Sequence, residues 1–236
     1  SGSTIKVSAD QNADIVFDTN DGTTSSSLTL DIDNDSTAKI STTDIDTLTI
    51  QTGDMALSLE ELDASDNDAT VNIGGTNDIT FTNTAAAGDL TVTGNDTNFA
   101  AIDADGDLTV TATTNFVATG AIAVDNDVLI SADDIDSQTG ISTAASGTAD
   151  GSVTLTSPGN DVDLAGATDI DGALTVTAVD SFTHNATALN TENDITITAD
   201  DFQAGATTTV QAGKMTVTVT NDSVLTGDTT VAGGGL

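Results

Sequence analysis

Short words of alternating aliphatic and hydroxyl residues recur along this chain, and their interval limits what it can fold into. They read Ser-Leu-Thr-Leu at 27–30, Thr-Leu-Thr-Ile at 47–50, Asp-Leu-Thr-Val at 89–92 and again at 107–110, and Ala-Leu-Thr-Val at 173–176. Marking the first apolar residue of each word gives Ile5, Leu28, Leu48, Val71, Leu90, Leu108, Val128, Val153, Leu174, Ile195 and Val217. The markers are about 21 residues apart, and a period of roughly 20–50 residues belongs to solenoids, propellers or arrays. A second apolar column follows the markers and includes Ile40, Ile79, Phe99, Phe116, Ile135, Val162, Phe182 and Phe202. A weaker third column holds Ile102, Ile122, Ile141, Ile170, Leu189, Val210 and Val231. Three short strands per repeat predict one turn of a three-sided parallel β-helix, a β-solenoid of about 11 coils in a single domain spanning 1–236. The spacing is least regular at 131–152, which reads as an irregular loop or joint.

Alternation sets the two sides of each strand. In Leu90-Thr91-Val92-Thr93 the aliphatic pair points one way and the hydroxyl pair the other. The aliphatic side builds a core continuous along the axis, and Thr-x-Thr pairs lie outside. Asp, Asn and Gly clusters supply the corners, since they tolerate turn dihedrals. The alternative architecture is a tandem of β-sandwich modules, which suits the same strand count. Against it stand the absent Tyr and Trp, the single Pro158, and a repeat that never resets at mid-chain.

Composition narrows the function. The chain of 236 residues carries 3 basic and 38 acidic side chains, a formal charge of −35. Only Glu60, Glu61 and Glu192 are Glu, which leaves 35 Asp, and Thr occurs 46 times. With 37% hydrophobic residues the chain is too aliphatic for a disordered polyanion. Its lack of Cys excludes disulfides and thiolate metal sites. Three lysines and no Arg cannot make a nucleic-acid surface, and an anionic leaflet would repel the protein. No apolar run is long enough for membrane insertion. The start at Ser-Gly-Ser-Thr has no basic or apolar leader, so a processed mature form or an excised fragment is expected.

The acids fall in clusters that suit hard cations. Asp31, Asp33 and Asp35 alternate, as do Asp103, Asp105 and Asp107; Asp125 and Asp127 flank Asn126; Asp133, Asp134 and Asp136 follow. Calcium takes six to eight oxygens, often around a Gly turn, so these eleven residues are the candidate metal ligands and calcium the candidate ion. Asp-Ala-Asp-Gly-Asp at 103–107 resembles the opening of an EF-hand loop, but position 114 is Thr where that loop needs Glu. The plainer reading is that Asp forms Asx-turns and keeps a rod in solution.

The stretch Asp105-Gly106-Asp107-Leu108-Thr109-Val110-Thr111-Ala112, with Asn115-Phe116 and Ala121-Ile122-Ala123 after it, resembles a repeat of the filamentous-haemagglutinin type. Gly172-Ala173-Leu174-Thr175-Val176-Thr177-Ala178 resembles it too, and the likeness covers about 85–220. The excess of Asp departs from that family and looks more like calcium-dependent surface-layer or biofilm-matrix proteins. The resemblance implies an extracellular or cell-surface structural or adhesive role and assigns no catalytic residue.

The expected function is therefore a secreted structural protein that assembles with itself, head to tail or laterally, into a filament, sheath or surface layer with calcium bridging its acids. The alternatives are an adhesin stalk that meets surface glycans, and an ice binder using Thr-x-Thr ladders such as Thr91/Thr93, Thr154/Thr156 and Thr196/Thr198. The step of 25 residues into Val153 is expected to break those ladders. An enzyme is not expected: the lone His184 reads as a surface residue, and Asp180, Thr183 and Glu192 are near it only in sequence. Four Asn-x-Ser/Thr sequons, at Asn34, Asn95, Asn185 and Asn221, matter only in a secreted protein.

Overall fold

The computed structural model describes the strands of the first 87 residues by their backbone, with side chains at Thr80, Phe81, Thr84 and Ala86. Backbone and side chains together are described for residues 88–143, 151–185, 188–205 and 207–232. The chain winds as a parallel β-solenoid in which, from Ala69–Ile73 onward, each coil gives one strand to each of three stacks, here sheets A, B and C. Sheet A runs from Ser3–Val7 to Met215–Val219 through 11 strands. Sheets B and C share one long strand, Leu57–Ala64, which pairs with Ile79–Phe81 through its first half and with Thr84–Ala86 through its second. In later coils the two are separate strands, as in Thr97–Phe99 and Ile102–Ala104. No helix occurs among the described residues, and so none is long and apolar enough to cross a membrane.

The coils described in full are fewer than the reading of about 11. Seven coils are described with side chains, starting at strand Leu90–Gly94. Sheet A continues as backbone from there through Ala69–Ile73, Thr47–Thr52, Ser27–Ile32 and Ser3–Val7.

Six markers stack directly in one run, Leu90, Leu108, Val128, Val153, Leu174 and Ile195, and Leu28 stacks directly on Leu48. Others slip by two residues. Leu28 pairs with Ser3 rather than Ile5, Leu90 with Ala69 rather than Val71, and Ile195 with Met215 rather than Val217. A slip of two keeps every side chain on its own face, so alternation cannot detect it. The long step into Val153 leaves sheet A in register, with Val128 opposite Val153 and Ile130 opposite Leu155. Part of its extra length lies at 144–150, outside the described residues, and all three sheets continue across 131–152.

The alternation fixes the core. In Leu90–Gly94 and Leu108–Ala112 every second residue is buried, and the aliphatic side chains of successive coils form one column. Burying each Val, Leu or Ile contributes about 1.5–3 kcal/mol. Aromatic rings reinforce the column at two levels. Phe81 and Phe99 stack with centroids 4.4 Å apart, and Phe99 meets Phe116 at 5.7 Å. Further along, Phe182 and Phe202 stack at 5.6 Å. Such pairs add about 0.5–1.5 kcal/mol each beyond burial.

The third column is not the single file that spacing suggested. Leu189 stacks between Thr168 and Thr208, while Thr191 stacks between Ile170 and Val210. Aliphatic residues and threonines thus alternate along the axis, all of them buried. Adjacent coils come close enough at one corner to require glycine. Gly140 has φ of 87°, and a Cβ there would sit 1.9 Å from the Ala167 carbonyl oxygen.

Candidate functional site

The corners show what seven of the described aspartates do. At the turn into sheet A, Asp89 Oδ1 accepts the Asp107 N–H of the next coil at 2.8 Å. Asp107 Oδ1 in turn accepts the Asp127 N–H at 3.1 Å, and Asp127 Oδ1 the Ser152 N–H at 2.8 Å. Asp194 repeats the contact with the Lys214 N–H at 2.9 Å. The turn from sheet A to sheet B carries a second set. Asp96 accepts from Asn115 at 3.1 Å, Asp161 from Ser181 at 2.9 Å, and Asp201 from Asp222 at 3.0 Å. Each carboxylate thereby satisfies an amide that the parallel ladder leaves open at the bend. A hydrogen bond to a charged acceptor contributes about 1.5–3 kcal/mol, less where water competes.

These bonds place the predicted metal ligands. Asp107 and Asp127 are exposed and each accepts a bond from the coil above. Asp103 and Asp105 are exposed as well, with Asp103 outward on sheet C and the Asp105 N–H bonded to the Ala86 carbonyl. The partly buried Asp125 donates its N–H to Ala104, and the Asp133 carbonyl accepts from Asn160 and from the Ser157 hydroxyl. Asp31 lies on the sheet A strand opposite Gln51, whereas Asp33 and Asp35 lie outside the described residues. Among the described residues, no group of three or more Asp, Glu or His side chains is arranged to hold a metal ion.

The structure does bring Asp134 and Asp136 together with two acids that spacing alone had not singled out. Ile135 pairs with Val162, and Asp136 with Asp163 directly above it. Asp134 and Asp161 flank the same pairing one residue back. Partial burial raises the Asp134 carboxyl above the ordinary carboxylate range, and the charges of Asp161, Asp163 and Asp136 push it further. Burial raises Asp163 too; a bond from Thr183 opposes this, and Asp161 and Asp136 add to it. Beside these acids runs an open groove of about 360 Å³, lined by Asp136, Asp163, Thr183, Asn185 and Gln203 among others. The placement of Val162 over Ile135 already implied this grouping, because the flanking Asp residues must follow.

His184 corrects the reading of a surface residue. It is fully buried, with Leu164 and Ala204 as its register neighbours. Neither ring nitrogen makes a well-formed hydrogen bond. Burial therefore lowers its pKa below the ordinary value, and the nearby backbone at Ala188 and at His184 itself offsets only part of that. The signal was present: in Ser181-Phe182-Thr183-His184 the imidazole shares parity with Phe182, which belongs to the core. Thr183 has the opposite parity, and Asp180 and Glu192 are exposed, so these residues do not converge on the ring. Of the sequons, Asn185 and Asn221 are exposed, Asn95 is half-buried, and Asn34 lies outside the described residues.

Comparison of the chain with protein-family models, with curated proteins and with solved structures gives no match.

Proposed function

We propose that this chain is a rigid structural element of an extracellular filament, sheath or surface layer. The observation that carries this reading is the in-register stacking of three parallel sheets around one buried column. At about 4.8 Å per coil, the 11 strands of sheet A make a rod of about 50 Å. Strands at either edge of a described stack carry unpaired backbone groups, which template the addition of another coil. The last described coil is also apolar on its stacking side: Val217 and Leu225 stand in register with the buried Ile197 and Ala204, yet are 36% and 54% exposed. A second copy stacked there would bury them, and so would a further stretch of the same chain; either lengthens the same rod. The acidic corners give such a rod a charged flank, which calcium or another divalent cation would screen and bridge between neighbours.

Negative-stain electron microscopy of the purified chain, with millimolar calcium and then with chelator, tests this. Filaments or sheets whose assembly depends on calcium are expected. Single short rods under both conditions would remove self-assembly and leave an isolated stalk, and globular particles would remove the rod as well.

A further inference from the structure

The outer face of sheet A is unlike the rest of the surface. Its outward positions form two straight files, two residues apart on each strand. The first passes through Thr91, Thr109, Leu129, Thr154, Thr175, Thr196 and Thr216. Over the same seven strands the second has Thr at every level except Ser131; before them its register positions are Asn72, Gln51, Asp31 and Lys6. The break expected at Val153 does not occur, because register holds there. Within those seven strands Leu129, 45% exposed, is the one position of the two files without a hydroxyl. None of these threonine hydroxyls takes part in a hydrogen bond among the described residues, unlike the corner residues Thr113, Thr114 and Thr119.

Charge sets the face apart further. The seven sheet A strands from Leu90–Gly94 to Met215–Val219 contain no charged residue, in a chain of net charge −35. By contrast, sheet B shows Asp136 and Asp163 to the outside, and sheet C Asp103 and Asp169. A charged partner of either sign would find its complement, or its repulsion, on those faces and at the corners. What fits sheet A is a neutral surface that repeats in two dimensions and offers hydrogen bonds at fixed intervals. Stacked strands set the files' rungs about 4.8 Å apart, and alternate residues along a strand stand about 6.7 Å apart. These two intervals are close to the repeats of oxygen positions on a prism face of hexagonal ice. Threonine suits such a lattice: its β-branch leaves χ1 few choices, its hydroxyl bonds to water, and its methyl orders the water beside it. Crystalline polysaccharide is a poorer fit, since stacking on sugar rings needs exposed aromatics and the five Phe side chains described are all buried.

We propose that the outer face of sheet A binds ice, with the two threonine files as the contact surface. The test is ice-recrystallisation inhibition and thermal hysteresis of the purified chain, alongside Thr175→Tyr in the middle of the first file. Leu129→Thr, which completes that file, and Asp163→Asn on sheet B serve as comparisons, with circular dichroism melting to confirm that each variant folds. The wild type is expected to inhibit recrystallisation, T175Y to lose most of that activity, L129T to gain about two-fold, and D163N to match wild type. A folded wild type with no activity above an inert protein would overturn the proposal, as would T175Y at full strength. So would a wild type that is dimeric and inactive while T175Y is monomeric, since the face would then be a contact between copies. Rods seen by microscopy are compatible with every one of these outcomes, so failure here leaves the structural reading standing.

Discussion

His184 is the one ionisable side chain buried in the described column, and its effect on stability has a definite sign. In the unfolded chain the imidazole takes up a proton near pH 6.5. In the folded chain burial lowers its pKa, so the folded state resists that proton. Stability from this group is intact above pH 6.5 and falls as the pH drops from there toward the lowered folded value. The slope is about 1.4 kcal/mol per pH unit within that window. His184→Leu removes the titration and fills the same space with an apolar side chain beside Leu164 and Ala204. We expect its melting temperature to change less than wild type between pH 7 and pH 5. Equal losses in both would place the acid sensitivity elsewhere.

At the scale of the strand and its corner, the excess of Asp over Glu has a mechanical reason. A carboxylate one carbon from the backbone reaches the amide of the next coil, as Asp107 does with Asp127 at 3.1 Å. An added methylene carries the oxygens past it. The expected order of stability is therefore Asp107 and Asp107→Asn close together, with Asp107→Glu and Asp107→Ala lower by about 1 kcal/mol. Chemical denaturation measures this, and D107E as stable as D107N would contradict the corner role. The strands themselves were legible in the sequence because alternation reports facing, and facing alone defines the column. Register was legible only modulo two, as Ser3, Ala69 and Met215 show. The carboxylate group at Asp134, Asp136, Asp161 and Asp163 was half legible. Its first two members are neighbours in sequence, whereas the others arrive from the next coil, 27 residues on, through the pairing of Ile135 with Val162. His184 was missed because its type was weighed before its parity.

The whole molecule is a polyanion whose acids lie in rows one coil apart. At roughly 4.8 Å the Coulomb cost between neighbours is about 1 kcal/mol in water and more where water is partly excluded. Asp134 and Asp163 are raised first by burial, and the neighbouring charges add this cost to it. Because their folded values lie above the unfolded ones, the penalty is fully present at neutral pH and is relieved as the pH falls through the raised values, opposite in sign to the His184 effect. Screening lengths drop from about 30 Å at 0.01 M salt to about 3 Å at 1 M. Melting temperature at neutral pH should therefore rise with sodium chloride, and more steeply in wild type than in D163N. A melting temperature indifferent to salt would mean that the acids are spaced or solvated well enough to ignore one another.

The backbone amide that each of the seven bonded corner aspartates accepts comes from the coil that follows it. A break between any two of these coils would expose carboxylate oxygens on one surface and amide hydrogens on the other, so the two cut faces are chemically unlike. Coils can join in one polarity only, because an inverted coil would set acceptor against acceptor. Whatever extends this rod must point the same way as the part already built.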